Sequence, residues 1–503
     1  MKVIVVPLDE RPCNYDYLLN LPLPKEVELV LPSRDLLSKK KDVCKIYPLH
    51  EWLFENAKDA DYLVVSFDTL LYGGIIPSRL HHLEQDEILK RAETIRKVKE
   101  INPKIKIYAN CLIMRCPAYN CGDEEPDYFD EYGYNIFRYG QLLDKEKQGL
   151  ISQNEVLEKE NLTKKIPSEY LNDFISRRKK NLEAILKNLT YVKDGIIDFF
   201  IIPQDDCSEY GFTSIDQRKV KSFISKKKID DKVVIYPGAD EVGLTLLARV
   251  LNDYYNYSPK FYVFYSSTLG SNSIPMFEDR PISETIKYHI YSTKGVMVSS
   301  ISEADICLGI NIGSEFLDKH DKRCYIVYGK NRNIPSFVDT ISYILNSGKV
   351  CGIGDCAYCN EADKELLEFL KTKGLLFKLS SFAGWNTSSN TLGTTISNLT
   401  SYYYSKDEKK KNISLINRYI DDFIYMAIVR EKLIMFIEGE KINGINRFNL
   451  GEHKKRYETI AKEMIKEEAK NFSLELNNYI KDLDVNFIWN RTFEILLHLE
   501  TNL

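Results

Sequence analysis

Two adjacent aspartates, Asp205 and Asp206, end an apolar run at 199–203 and open the polar stretch PQDDCSEYG. Neighbouring residues at a strand end point to different sides, so two such carboxyls can take different tasks. One can orient a substrate group while the other delivers a proton, since repulsion between close carboxylates raises the pKa of one of them. Capping a helix in a polar turn is the plain structural use of the same pair. Repetition tips the reading towards chemistry. Asp9, Glu10, Arg11 and Asn14 follow the run 3–7, and Asp68, Tyr72 and Arg79 follow 62–67. Tyr210 comes shortly after the aspartate pair, and Asp240 and Glu241 follow 233–237. Asp355 and Asn360 follow 350–354, and Trp385, Asn386 and Asn390 follow 376–379. Acids, amides, arginine and aromatic rings are what a sugar pocket needs, with hydroxyls held by hydrogen bonds and a ring face stacked on an aromatic.

The elements that must position these residues are short β-branched or aromatic runs at 3–7, 27–31, 62–67, 105–110, 199–203, 233–237, 262–265, 306–311, 350–354 and 376–379. Several are apolar throughout, as strands covered on both faces are. Helical spacing fills the intervals, for example at 85–98 and 170–189. Strands alternating with helices predict an α/β protein of wound parallel sheets, barrel-like or doubly wound, with ligand-binding loops at the carboxyl ends of the strands. Ten strands exceed one barrel or one ordinary wound sheet. The chain therefore reads as an α/β domain over 1–255, barrel-like closure being one form of it, and a second α/β unit over 256–401. After the charged break SKDEKKKN at 405–412 the pattern turns helical, giving a helical carboxy-terminal region over 402–503.

Composition narrows the partners. The 69 basic and 73 acidic residues leave a net charge of −4, with no pull towards nucleic acid or an anionic membrane. A small molecule or a carbohydrate is the expected ligand. No signal peptide or apolar span is present, and the 11 scattered cysteines suit a reducing cytoplasm, so a cytoplasmic location is expected. Cys351, Cys356 and Cys359 have part of an iron–sulfur spacing but lack a fourth ligand, as do Cys111, Cys116 and Cys121, so no metal is expected on them. Seven histidines argue against a histidine-rich site, and no P-loop or dinucleotide fingerprint occurs.

The runs PLDERPCN (7–14), SFDTLLYGGIIPSR (66–79), PQDDCSEYG (203–211), YPGADEVGLTLLAR (236–249), FEDRP (277–281) and FAGWNTSSNTLGT (382–394) resemble the bacterial domain-of-unknown-function family numbered 4127. The resemblance covers most of the chain and implies relatives, not an activity. A fainter one is to retaining hexosaminidases of the O-GlcNAcase type, where the acetamido group of the substrate is the nucleophile. That resemblance implies that Asp205 holds the acetamide and Asp206 protonates the glycosidic oxygen.

The expected function is therefore that of a glycoside hydrolase-like enzyme centred on Asp205 and Asp206. Asp240 or Glu241 would supply a further carboxylate, and the remaining loop residues would bind substrate, with no cofactor. Two other classes remain open: a Mg²⁺-type hydrolase or transferase using Asp9, Asp68, Asp205, Asp206 and Asp240, and a non-catalytic sugar-binding protein.

Overall fold

The computed structural model describes residues 1–317, 321 and 324–503. Two compact units emerge: Met1–Glu10, Glu26–Leu246 and Phe277–Arg280 form the first, and Arg11–Lys25, Leu247–Met276 and Pro281–Leu503 the second.

The first unit is built on six parallel strands: β1 (Lys2–Val6), β2 (Glu28–Val30), β3 (Tyr62–Ser66), β4 (Lys106–Asn110), β5 (Phe199–Gln204) and β6 (Val233–Pro237). Their order is β2-β1-β3-β4-β5-β6. The sheet is open, with β2 and β6 at its edges, so this is a doubly wound unit and not a barrel. Alternate residues explain its core. Ile4, Val6, Leu63, Val65, Ile107, Phe200 and Ile202 all point to one face. Helices lay matching stripes on that face: Leu49, Leu53 and Ala57 from Ile46–Ala57, and Leu182, Ile185 and Leu189 from Ser168–Lys193. Val3, Val5 and Val64 on the opposite face are equally buried, which is why these strands read as unbroken apolar runs.

The second unit holds five parallel strands: β7 (Lys260–Tyr265), β8 (Val296–Met297), β9 (Ile306–Asn311), β10 (Val350–Asp355) and β11 (Ser381–Ala383). Their order is β11-β10-β9-β7-β8. Numbered from its own first strand this is 2-1-3-4-5, the order that opens the first sheet as well. In each unit the order reverses beside the first strand, and the crevice at such a reversal is where wound sheets hold ligands. Ile282, Ile286 and Ile290 from one helix, and Leu392, Ile396 and Leu399 from another, cover Phe261, Leu308 and Ile310.

Three expectations change. The apolar run 376–379 is a turn, because Leu376 and Leu379 bury their side chains without extending the chain; the strand is Ser381–Ala383, just after it. The two-residue strand β8 is only Val296–Met297, both side chains exposed, too short for an apolar run to mark it. The carboxy-terminal region is not wholly helical, since β12 (Ile480–Phe487) and β13 (Ile495–Thr501) pair antiparallel at its end. Leu483, Val485 and Phe487 point inward there at a period of two.

Candidate active site

Because the six strands of the first unit are parallel, their carboxyl ends share one edge. β5 delivers Asp205 and Asp206 there. Arg79 reaches Asp205 from the short helix Ile75–Leu80, which starts after the Gly73-Gly74 turn. Both glycines have positive φ, 91° and 137°. A Cβ on Gly73 would lie 2.5 Å from Val43 Cγ1 and 2.8 Å from the Cys44 nitrogen, so the turn requires glycine on both counts. Arg79 Nη2 donates to Asp205 Oδ2 at 2.6 Å, and Nη1 to Glu124 Oε2 at 3.1 Å.

Arg115 completes the cluster from the loop after β4. Its Nε donates to Glu125 Oε1 at 2.6 Å, Nη1 to Asp206 Oδ2 at 3.0 Å and Nη2 to Glu124 Oε2 at 3.1 Å. The loop is itself tied down. Arg178 donates from Nη1 to the Met114 and Arg115 carbonyls at 2.6 and 3.1 Å, while its other nitrogens grip Asp216 Oδ2 at 3.0 and 2.8 Å.

Among the described residues two guanidinium groups thus face four carboxyls. Burial raises the Asp206 carboxyl to about 7; Arg115 opposes the rise and Asp205 adds to it. Asp68, bonded through Oδ2 to the Leu112 N–H at 2.9 Å, is also raised to about 7 by burial, against the pull of that N–H and of Arg79. Groups near 7 can both give and take a proton at neutral pH. The cluster is not sealed: Asp205 and Asp206 keep 15% and 13% of their side-chain surface exposed. Asp206 also has φ of 37°, a left-handed backbone that costs a non-glycine residue roughly 1–2 kcal/mol. The carboxyl is held in place by its surroundings, not by local preference.

Other expected residues of this unit lie along the same edge. Asp9 and Glu10 follow β1 and are buried, Glu10 Oε2 accepting from Ser38 Oγ at 3.3 Å. The Tyr72 ring stacks on His81 with centroids 4.6 Å apart. Tyr210 takes Lys145 Nζ over its ring at 5.5 Å. Glu241 is buried beside Asp240 and Glu278, and burial raises its carboxyl to about 8. Its Oε2 accepts the Ala239 N–H at 2.9 Å, while Oε1 has no hydrogen-bond partner among the described residues.

The remaining expected residues belong to the second unit. Arg11 Nη1 donates to Glu494 Oε1 at 3.0 Å, and Asn14 Nδ2 to Cys13 Sγ at 3.6 Å. Trp385, after β11, meets Tyr17 edge-on at 6.2 Å. The Tyr17 ring in turn carries the Arg418 guanidinium at 3.7 Å. Asp355 joins Asn311 Nδ2 at 2.9 Å and the Asp363 N–H at 2.7 Å, and burial raises it to about 7. Asn360 donates its N–H to the Asn386 carbonyl at 2.9 Å, and the Asn390 N–H meets Thr387 Oγ1 at 3.5 Å in a helix-capping turn. The expected residues thus fall in both units, with the Asp205–Asp206 pair in the first.

Arg115, Glu124 and Glu125 were not among the expected residues. Their signal is the polar stretch that follows β4, in which all three lie. Among the described residues no three His, Cys, Asp or Glu side chains are arranged to hold one metal ion. Cys351 and Cys356 are buried, and Cys359 is half-buried. No helix among the described residues is long and apolar enough to cross a membrane.

Residues 3–498 match the family model described as a protein of unknown function, DUF4127. No curated protein and no solved structure matches the chain.

Proposed function

We propose that this chain, which belongs to the DUF4127 family, hydrolyses glycosidic bonds with Asp205 and Asp206 at the carboxyl edge of its first sheet. One observation carries the reading: two adjacent carboxyls are held by different arginines, and burial pushes one of them to about 7. Asp206 then gives its proton to the departing glycosidic oxygen as the bond breaks. Asp205, fixed by Arg79, orients the group that attacks the sugar carbon. On an N-acetylhexosaminide that group is the substrate's own acetamide oxygen. Water then opens the cyclic intermediate, and Asp206, now ionised, takes the proton from it. Asp68, close enough to feel the charge of Asp205, is a reserve proton carrier beside the pair.

The test is turnover of a panel of nitrophenyl glycosides, N-acetylglucosaminide and N-acetylgalactosaminide included, with and without EDTA. Release of nitrophenol that is insensitive to EDTA and absent from Asp206→Asn protein supports the proposal. Activity that disappears with EDTA supports the metal-dependent class instead, and no cleavage of any member sinks the glycosidase reading.

A further inference from the structure

A groove of about 920 Å³ lies within the first unit. Its wall includes Leu80, the residue after Arg79, and Pro126, the residue after Glu125. Two of the segments that build the cluster thus continue into the groove.

The floor is ordered by its own contacts. Tyr128 and Tyr170 stack with centroids 4.8 Å apart, and Tyr132 meets Tyr170 at 5.8 Å. The Tyr128 hydroxyl donates to Asp173 Oδ2 at 2.7 Å. Arg177 Nη2 bonds both oxygens of Asp173, at 2.7 and 2.8 Å, and Nε donates to the His81 carbonyl at 2.9 Å. Arg177 is only 3% exposed, and its Nη1 finds no acceptor among the described residues. A buried guanidinium nitrogen without a partner is costly and calls for an oxygen.

The wall chemistry selects what supplies that oxygen. Among the described residues of the wall, Asp127, Asp130, Glu131, Glu169 and Asp173 face Lys41 and Arg177 as full cations, so an anionic ligand meets net repulsion. A cationic ligand satisfies the carboxylates but leaves Arg177 Nη1 bare. Neutral hydroxyl groups do both: they donate to carboxylates and accept from the guanidinium, and sugar rings lie against tyrosines. We infer that the groove binds the extended part of a neutral oligosaccharide whose end sugar enters the Asp205–Asp206 cluster. This rests on the glycosidase reading for the cluster and adds that the substrate is longer than one sugar.

Calorimetric titration of the full-length Asp206→Asn chain tests it, with the tetrasaccharides of N-acetylchitose, cellulose and xylan, their monosaccharides, spermine and trilysine as probes. At least one tetrasaccharide should bind about tenfold or more tighter than its monosaccharide, and Tyr170→Ala in the same background should lose about that factor. The melting temperature of the Tyr170→Ala protein must match its parent, and Tyr132→Ala is the second variant if it does not. Absence of tetrasaccharide binding, binding untouched by these variants, or binding of spermine or trilysine in place of sugars would overturn the inference. Tetrasaccharide binding in a protein that cleaves no glycoside refutes the hydrolase reading and leaves the groove. Cleavage of aryl monosaccharides without any gain from added sugars refutes the groove alone.

Discussion

Glu241→Gln should make the protein more stable, and by an amount that grows with pH. The Glu241 carboxyl is 1% exposed, uses Oε2 on the Ala239 N–H and leaves Oε1 without a partner. Burial lifts its pKa from an ordinary 4.5 to about 8. The folded chain therefore keeps a proton that the unfolded chain releases. Stability falls as pH rises from about 4.5 to about 8 and is flat above that. At about 1.4 kcal/mol per pH unit, the buried carboxyl forgoes roughly 3 kcal/mol of ionisation at pH 7. A glutamine keeps the shape and the Ala239 hydrogen bond and forgoes nothing. For a unit of this size roughly 2 °C per kcal/mol applies, so the variant should melt about 5 °C or more above wild type at pH 7, with no gain near pH 4.5. Thermal unfolding followed by circular dichroism at four pH values reads this directly. A difference that does not change with pH, or a variant less stable at every pH, would show that the carboxylate is ionised in the fold and the burial argument wrong.

Arg115→Met leaves Asp206, Glu124 and Glu125 without their shared cation, and should destabilise the first unit by about 3–5 kcal/mol at pH 8. The loss should shrink at pH 5, where Asp206 can take up a proton; equal losses in urea titrations at both pH values would count against the cluster. Gly238→Ala places a Cβ against Glu241 Oε1 at a φ of 154°, and should cost about 1–3 kcal/mol by the same titration. Glycoside turnover, if present, should decline on the alkaline side near pH 7 as Asp206 loses its proton, which a pH–rate profile checks.

The wound α/β character was legible because Val3, Ile4, Val5 and Val6, or Phe199 to Ile202, are buried on both faces and so cannot alternate. Leu376 and Leu379 carried the same apolar signal from a turn, since burial alone does not tell an extended run from a compact one. The reversed strand order shared by the two sheets rests on which crossover passes which face, and no local pattern encodes that. The aspartate pair stood out by adjacency. Its arginine partners did not, because Arg79 and Arg115 lie 126 and 91 residues from the aspartates they hold. Only the folded chain sums those separations into one contact.

The central claim is that Asp206 is a proton donor and Asp205 an orienting group, and leaving-group dependence tests it most directly. Rates for N-acetylhexosaminides with poor and with activated aryl leaving groups should be compared in wild type, Asp206→Asn and Asp205→Asn. A good leaving group needs no proton, so Asp206→Asn should slow poor leaving groups by about 10²–10⁴-fold and affect activated ones much less. Asp205→Asn should slow both, because orienting the nucleophile matters whatever departs. Equal and small losses for both variants on both substrates would mean that the pair only caps its turn, and would contradict the account.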